Sequence, residues 1–249
     1  MKLNLQLSLG LVFSFIWSVS NAQYIAPFAI IKDKDGFVNV RDNGTPKGKV
    51  IDKLVSNQVF EDENQFGVTD AKEWIYVSYG DRKHKKGLTN KMIDEATGYI
   101  HQSRILYLDK LAQLKKTVVK NRIEFKNDTI NILIKTGKFI PKENKISKDK
   151  GGFISKINNE EPFGIDGILP EDLEEIKSII IAYKDKEYQF PVNSLVGLFS
   201  PSSNNMLVAL SDYNTMFLVM SNGDAAGAYN VVWTIKNNIV VSQFVNRDF

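Results

Sequence analysis

Short apolar runs cut by turn residues set the limits on what this chain can fold into. Val38 and Val40, then Ile51 and Leu54, then Val59 and Phe60 are separated by Asp42-Asn43-Gly44 and Ser56-Asn57. Each run is too short to give a helix a core-facing stripe, so the pattern reads as a meander of half-buried strands. Asn43-Gly44 tolerates positive φ and Pro46 fixes its own, so the chain leaves the first of these strands in a turn. The second half keeps the same style. Ile123 and Phe125 precede Asn127-Asp128, after which Ile130, Ile132 and Ile134 alternate; Lys184-Asp185-Lys186 separates runs at 179–183 and 187–190. Further runs at 206–210, 215–220, 229–235 and 239–245 follow, with Asn237-Asn238 as the last turn. Hairpin connections are too short to cross over for parallel strands, so the second half should be mostly antiparallel sheet.

Between the halves the spacing changes. Tyr107, Leu111, Leu114 and Val118 recur at helical intervals with Lys110, Lys115, Lys116 and Lys120 on other faces, which predicts a short helical connector over 106–122. The lysine-rich 142–152 stretch has paired glycines and no apolar period, and reads as a mobile loop. Pro170 followed by Glu171, Asp172, Glu174 and Glu175 has the composition of a first helical turn. The expected organisation is mainly β: a signal peptide over 1–22, a small barrel over 23–105, the connector, and an antiparallel β domain over 123–249.

Phe37-Val38-Asn39-Val40-Arg41, Val50-Ile51-Asp52-Lys53-Leu54, Val59-Phe60, Trp74-Ile75-Tyr76-Val77, Gly98-Tyr99-Ile100 and Arg104-Ile105 follow one another in the first half. In order and residue type they resemble a bacterial SH3-like (SH3b) domain, over roughly a third of the chain. Trp74 and Val77 match that family's W-x-x-V strand, and Gly98-Tyr99-Ile100 its G-W-[IV] strand with Tyr in place of Trp. The resemblance implies a small barrel, a structural role for Trp74, and a habit of binding short peptides or cell-wall polymers. One departure stands out. Where the family has a short hairpin after Val77, this chain opens a longer excursion containing Arg82-Lys83-His84-Lys85-Lys86. That basic run reads either as a clamp for an anionic polymer or as a loop kept soluble by its charge.

Met1 to Ala22 has one early cation at Lys2, an apolar run from Leu7 to Val19, and Ser20-Asn21-Ala22 before Gln23. This is the pattern of a secretory signal peptide, and its apolar part is shorter than a comfortable membrane span. The expectation is therefore a periplasmic or secreted protein with no stable membrane insertion once the signal is cut. Cysteine is absent, so disulfides and a thiol-linked lipid anchor are both excluded and burial alone must hold the fold. The 249 residues suffice for one large or two ordinary cores. A formal net charge of +3 favours no particular partner, and none of nucleic acid, cofactor or metal is expected.

Enzyme chemistry finds little to work with. A papain-like peptidase needs a thiolate that this chain lacks. A zinc amidase needs converging imidazole and carboxylate ligands, yet the histidines are His84 and His101, with no H-E-x-x-H around either. No G-x-S-x-G elbow exists to expose a serine. Glycosidase chemistry asks only for two carboxylates, and Glu160, Glu161, Asp166, Glu171 and Asp172 supply them without a motif. Asp33-Lys34-Asp35-Gly36 lacks a first-position oxygen ligand if aligned as an EF-hand loop, since Ile31 falls there. Gly223 to Gly227 leads into a strand and lacks a following Lys-Ser/Thr pair, so it reads as a hairpin rather than a phosphate cradle.

Three functional readings remain. The first is a non-enzymatic envelope protein whose barrel binds a peptide or cell-wall polymer through Tyr79, Arg82, Tyr99 and His101. The second is an inhibitor or immunity-type protein that blocks a secreted enzyme or toxin, with Tyr229 and Trp233 as contact anchors. The third is a glycosidase using two of the acidic residues named above.

Overall fold

The computed structural model describes residues 27–66, 73–80, 95–212, 214–222 and 227–247. The signal-like stretch 1–22, the basic run with Arg82, and residues 223–226 lie outside them. The fold is mainly β, with several antiparallel sheets.

The first seven strands are β1 (Phe28–Ile31), β2 (Phe37–Arg41), β3 (Val50–Val55), β4 (Val59–Asp62), β5 (Trp74–Gly80), β6 (Glu95–His101) and β7 (Ile105–Tyr107). They pair antiparallel in the order β3-β2-β6-β5-β4-β1-β7. Ile31, Val40, Leu54, Phe60, Val77 and Ile100, one from each of β1 to β6, meet in a single core, so this sheet curls around its own apolar side.

The connector differs from its expected helix. A 3₁₀ turn at Leu108–Lys110 is its helical part, and the rest is extended as β8 (Ala112–Gln113) and β9 (Lys115–Val119). Its apolar residues serve different places rather than one stripe: Leu108 and Leu111 pack at the junction between layers, Leu114 in the C-terminal core, and Val118 is exposed. Thr117, Val118 and Val119 are β-branched and favour extension.

The remaining strands are β10 (Arg122–Lys126), β11 (Ile130–Lys138), β12 (Ile146–Lys148), β13 (Ile154–Ile157), β14 (Glu174–Tyr183), β15 (Lys186–Gln189), β16 (Met206–Asp212), β17 (Thr215–Asn222), β18 (Tyr229–Lys236) and β19 (Ile239–Arg247). One five-stranded sheet runs β15-β14-β11-β10-β9 and another β19-β18-β17-β16-β8, while β12 and β13 form a two-stranded sheet, with Ile157 of β13 also bridged to Glu160. The lysine-rich 142–152 stretch is thus no structureless loop. Ile146, Ile154 and Ile157 anchor its hairpin on Phe139, Leu173 and Phe199, and these widely spaced apolar residues are hidden among the lysines. The segment at Pro170 is likewise a turn that runs straight into β14 instead of opening a helix.

The β19-β18-β17-β16-β8 sheet is the middle layer of the molecule. Met216, Leu218 and Met220 of β17 face the C-terminal core with Val231, Trp233 and Ile235 of β18, while Phe217 and Val219 face the N-terminal sheet. The register lines up Leu207, Val219, Val232 and Phe244 as one apolar row against Phe28, Ile30 and Val59. Phe28 and Phe244 meet edge to face at 5.8 Å. The next row, Ser221, Asn230 and Asn246, is polar and buried. Asn246 donates to Glu61 of β4, but neither amide atom of Asn230 has a hydrogen-bond partner among the described residues.

A second polar contact ties the entry of β2 to the exit of β6. Arg104 donates to Asp33, whose other oxygen accepts from the Asp35 amide at 2.8 Å. The guanidinium first, and that amide second, hold the Asp33 carboxyl below its usual value of 3.8. The Asp33-Lys34-Asp35-Gly36 stretch is therefore a turn organised on a guanidinium, with Gly36 at φ 78°.

Orphaned buried amides cost about 1–3 kcal/mol each, so Asn230→Leu should raise stability by roughly that amount, read as a higher urea midpoint at unchanged slope. A lower midpoint would show that Asn230 holds the layers together. A depressed carboxyl pKa adds stability above the unfolded value and loses it as pH falls through the folded one. Asp33→Asn should therefore lower the urea midpoint at pH 7, and its gap from wild type should close below about pH 4.

Candidate functional site

Alternation decides which side chains of the N-terminal sheet can meet a ligand. Ile75, Val77 and Tyr79 of β5 point into the core, so Trp74, Tyr76 and Ser78 point outward. Cross-strand register then builds outward rows. Arg41 of β2 stands opposite Tyr99 of β6, and Tyr99 opposite Tyr76 of β5. Thr97 and Ser78 form the neighbouring row, continued by Glu61 of β4, but Ser78 and Glu61 are buried, Glu61 against Asn246 of the middle sheet, so the row is exposed at Thr97; Trp74 and His101 form a third.

The Tyr76 and Tyr99 rings lie 5.0 Å apart with a 54° tilt, both half-buried. The Tyr76 hydroxyl donates to Thr97 Oγ1 at 2.8 Å, which fixes the ring's polar end. Trp74 is buried beneath its neighbours: His101 meets it edge to face at 5.3 Å, and the Arg41 guanidinium stands 5.9 Å from its ring centre. His101 Nδ1 accepts from the Ser103 amide at 3.2 Å, so the neutral ring carries its proton on Nε2, which lies 3.8 Å from the Glu73 carboxylate. Chemically, this face offers two tyrosine edges, a guanidinium, a threonine hydroxyl and an imidazole N–H. Such a set can stack on, and hydrogen-bond to, a polar ligand.

Close approach of β2 to β6 depends on Gly98. A Cβ there would lie 2.5 Å from Val40 Cγ1 and 3.0 Å from the Arg41 carbonyl. Glycine in the Gly98-Tyr99-Ile100 strand thus lets Arg41 and Tyr99 share a row.

The residues expected to bind ligand are only partly brought together. Tyr99 and His101 lie on the outward face. Tyr79 is 1% exposed in the core of the N-terminal sheet, on the opposite side of β5, so it is corrected from a ligand contact to a core residue. Arg82 lies outside the described residues. Arg41 and Thr97 were not among the expected contacts, and Tyr76, which strand period places on the same side as Trp74, stands with them on this face.

The anchors expected for a protein partner are also corrected. Tyr229 and Trp233 are 1% and 0% exposed, inside the core between the middle and C-terminal sheets. Tyr229 donates to the Phe199 carbonyl at 2.8 Å, and burial pushes its phenol pKa far up. Trp233 donates to the Ser194 carbonyl at 3.3 Å and meets Phe190 edge to face at 5.8 Å. Their shared strand face was legible in sequence, but its direction was not. Of the carboxylates considered for glycosidase chemistry, Glu161 and Asp166 line one cleft of about 540 Å³, and Glu161 is paired with Arg247.

Comparison with protein-family models, with curated proteins and with solved structures finds no match to this chain.

Gly98→Ala should splay β2 from β6 at a cost of about 1–3 kcal/mol, the usual penalty of overpacking. Urea unfolding measures it, and an unchanged midpoint would mean that the two strands do not need the close approach.

Proposed function

We propose that this is an exported, non-enzymatic protein of the cell envelope that binds a peptide or a cell-wall polymer on the outward face of its N-terminal sheet. The observation that carries the reading is the Arg41–Tyr99–Tyr76 row, with Thr97 bonded to Tyr76 beside it. Tyrosines supply wide amphipathic contact at low entropic cost, and a guanidinium next to them suits a carboxylate or a polar carbonyl. Two sequence features support the setting: the signal-like Met1 to Ala22, and the strand motifs that resemble an SH3-like domain of exported bacterial proteins. The lack of cysteine and of any catalytic motif supports a binding role over a reaction.

The test is retention of the purified protein on sedimented peptidoglycan. Wild type should co-sediment, and the Tyr76→Ala/Tyr99→Ala double variant should lose about tenfold in affinity, corresponding to 1.4 kcal/mol. Thermal unfolding of the variant controls for its fold. Failure of wild type to co-sediment, or equal retention of a folded double variant, would overturn the proposal.

A further inference from the structure

The core between the two five-stranded sheets opens at the end where their hairpins turn. Ile132 and Ile134 of β11 and Ile179 and Ile181 of β14 lie in that core, so strand period carries the cross-strand pair Ile130 and Tyr183 onto the same face at the strand ends. Tyr188 of β15, opposite Ile181, joins them. Leu210 and Met216, paired between β16 and β17, come from the facing sheet. These side chains line a pocket of about 240 Å³, completed by Asn214, Thr215, Asn237 and Asn238. Its asparagines are placed by backbone. Asn237 and Asn238 form the turn between β18 and β19 at φ 52° and 65°, which asparagine tolerates, and the Asn237 amide N–H donates to the Asn214 carbonyl at 2.8 Å. Among the described residues, no hydrogen bond engages the side chains of Asn237 and Asn238 or the hydroxyls of Tyr183 and Tyr188.

The composition of this lining selects a ligand. It contains no carboxylate, ammonium, guanidinium or imidazole among the described residues, so it offers no counter-charge to an ionic group. Lys184 Nζ stands 5.3 Å from the centre of the Tyr183 ring, outside the lining. Two tyrosine rings with Leu210 and Met216 supply apolar surface, and the asparagine amides can both donate to and accept from hydroxyls. The volume is below that of drug-sized sites, which fits one ring. A neutral sugar has this make-up, with C–H groups on its faces and hydroxyls around its edge. We infer that the pocket binds a neutral sugar unit, with Tyr183 and Tyr188 against its C–H face and the Asn237 and Asn238 amides on its hydroxyls. The site lies in the other half from the N-terminal face and does not rest on the reading given above for that face.

NMR titration of the nitrogen-15-labelled protein with glucose, galactose, mannose and N-acetylglucosamine tests the inference. At least one of these sugars should shift the Asn237 and Asn238 side-chain amide resonances saturably. Tyr188→Leu, which keeps apolar volume, should weaken that binding about tenfold. Asn238→Gly, which keeps the positive φ, should weaken it roughly three- to tenfold. Glucuronate and glucosamine should bind no more tightly than the best neutral sugar, and cyclohexanol about tenfold more weakly. The Tyr76→Ala/Tyr99→Ala variant should bind the sugar as wild type does, which separates this site from the N-terminal face. No saturable shift with any of the neutral sugars, tighter binding of a charged sugar, equal binding of cyclohexanol, or unchanged affinity in Tyr188→Leu and Asn238→Gly would overturn the inference.

Discussion

Burial of β17 on both faces is the constraint on which the rest of this structure depends. Every residue from Thr215 to Asn222 is buried, with Met216, Leu218 and Met220 committed to the C-terminal core and Phe217 and Val219 to the N-terminal sheet. Each fully buried Phe, Leu, Val or Met is worth roughly 1.5–3 kcal/mol, and here one strand supplies such residues to two cores at once. Without disulfides, this double use joins the halves. It also limits which surfaces stay open. Among the described residues the middle sheet has no broad free face, which leaves the Arg41–Tyr99–Tyr76 side of the N-terminal sheet and the periphery of the C-terminal layer at the surface.

That division explains which parts of the sequence were readable. Alternation in Ile130, Ile132 and Ile134 fixed β11 and its hairpin with β10, because one face is wet and the other dry. The continuous run Met216-Phe217-Leu218-Val219-Met220 was equally clear as a strand, but continuity alone does not say that two different layers cover it. The orientation of Tyr229 and Trp233 was invisible for the same reason: both sides of β18 are buried, so sharing a face did not mean facing a partner. In the connector, an accidental helical spacing joined residues that belong to separate cores. The 146–157 hairpin was obscured by lysines that carry no structural period, and its apolar anchors contact Phe139, Leu173 and Phe199, which are remote in sequence.

The candidate site was half legible. Strand period placed Trp74 and Tyr76 on one side, and the same rule assigns Tyr79 to the other. Only register, however, brings Arg41 opposite Tyr99, and register depends on Gly98 admitting β2 within contact of β6. The tyrosine pair is held from behind as well. Tyr107 donates to Asp62 at the end of β4, with burial chiefly and that carboxylate secondarily raising its phenol pKa, and β4 pairs with β5 through Asp62 and Val77. The outward face thus inherits its geometry from a curled sheet pinned at its edge, and that sheet is pressed on the middle layer through Phe28, Ile30 and Val59.

Native-state hydrogen exchange tests this account most directly, because it asks whether the layers open together. Amides of β17 and β18 should exchange only through global unfolding, with the same opening free energy as the β5 amides at Ile75 and Val77. If β5 exchanged through a separate, lower-energy opening while β17 stayed closed, the N-terminal sheet would be an independent unit, and the middle layer would not be what holds the site in place.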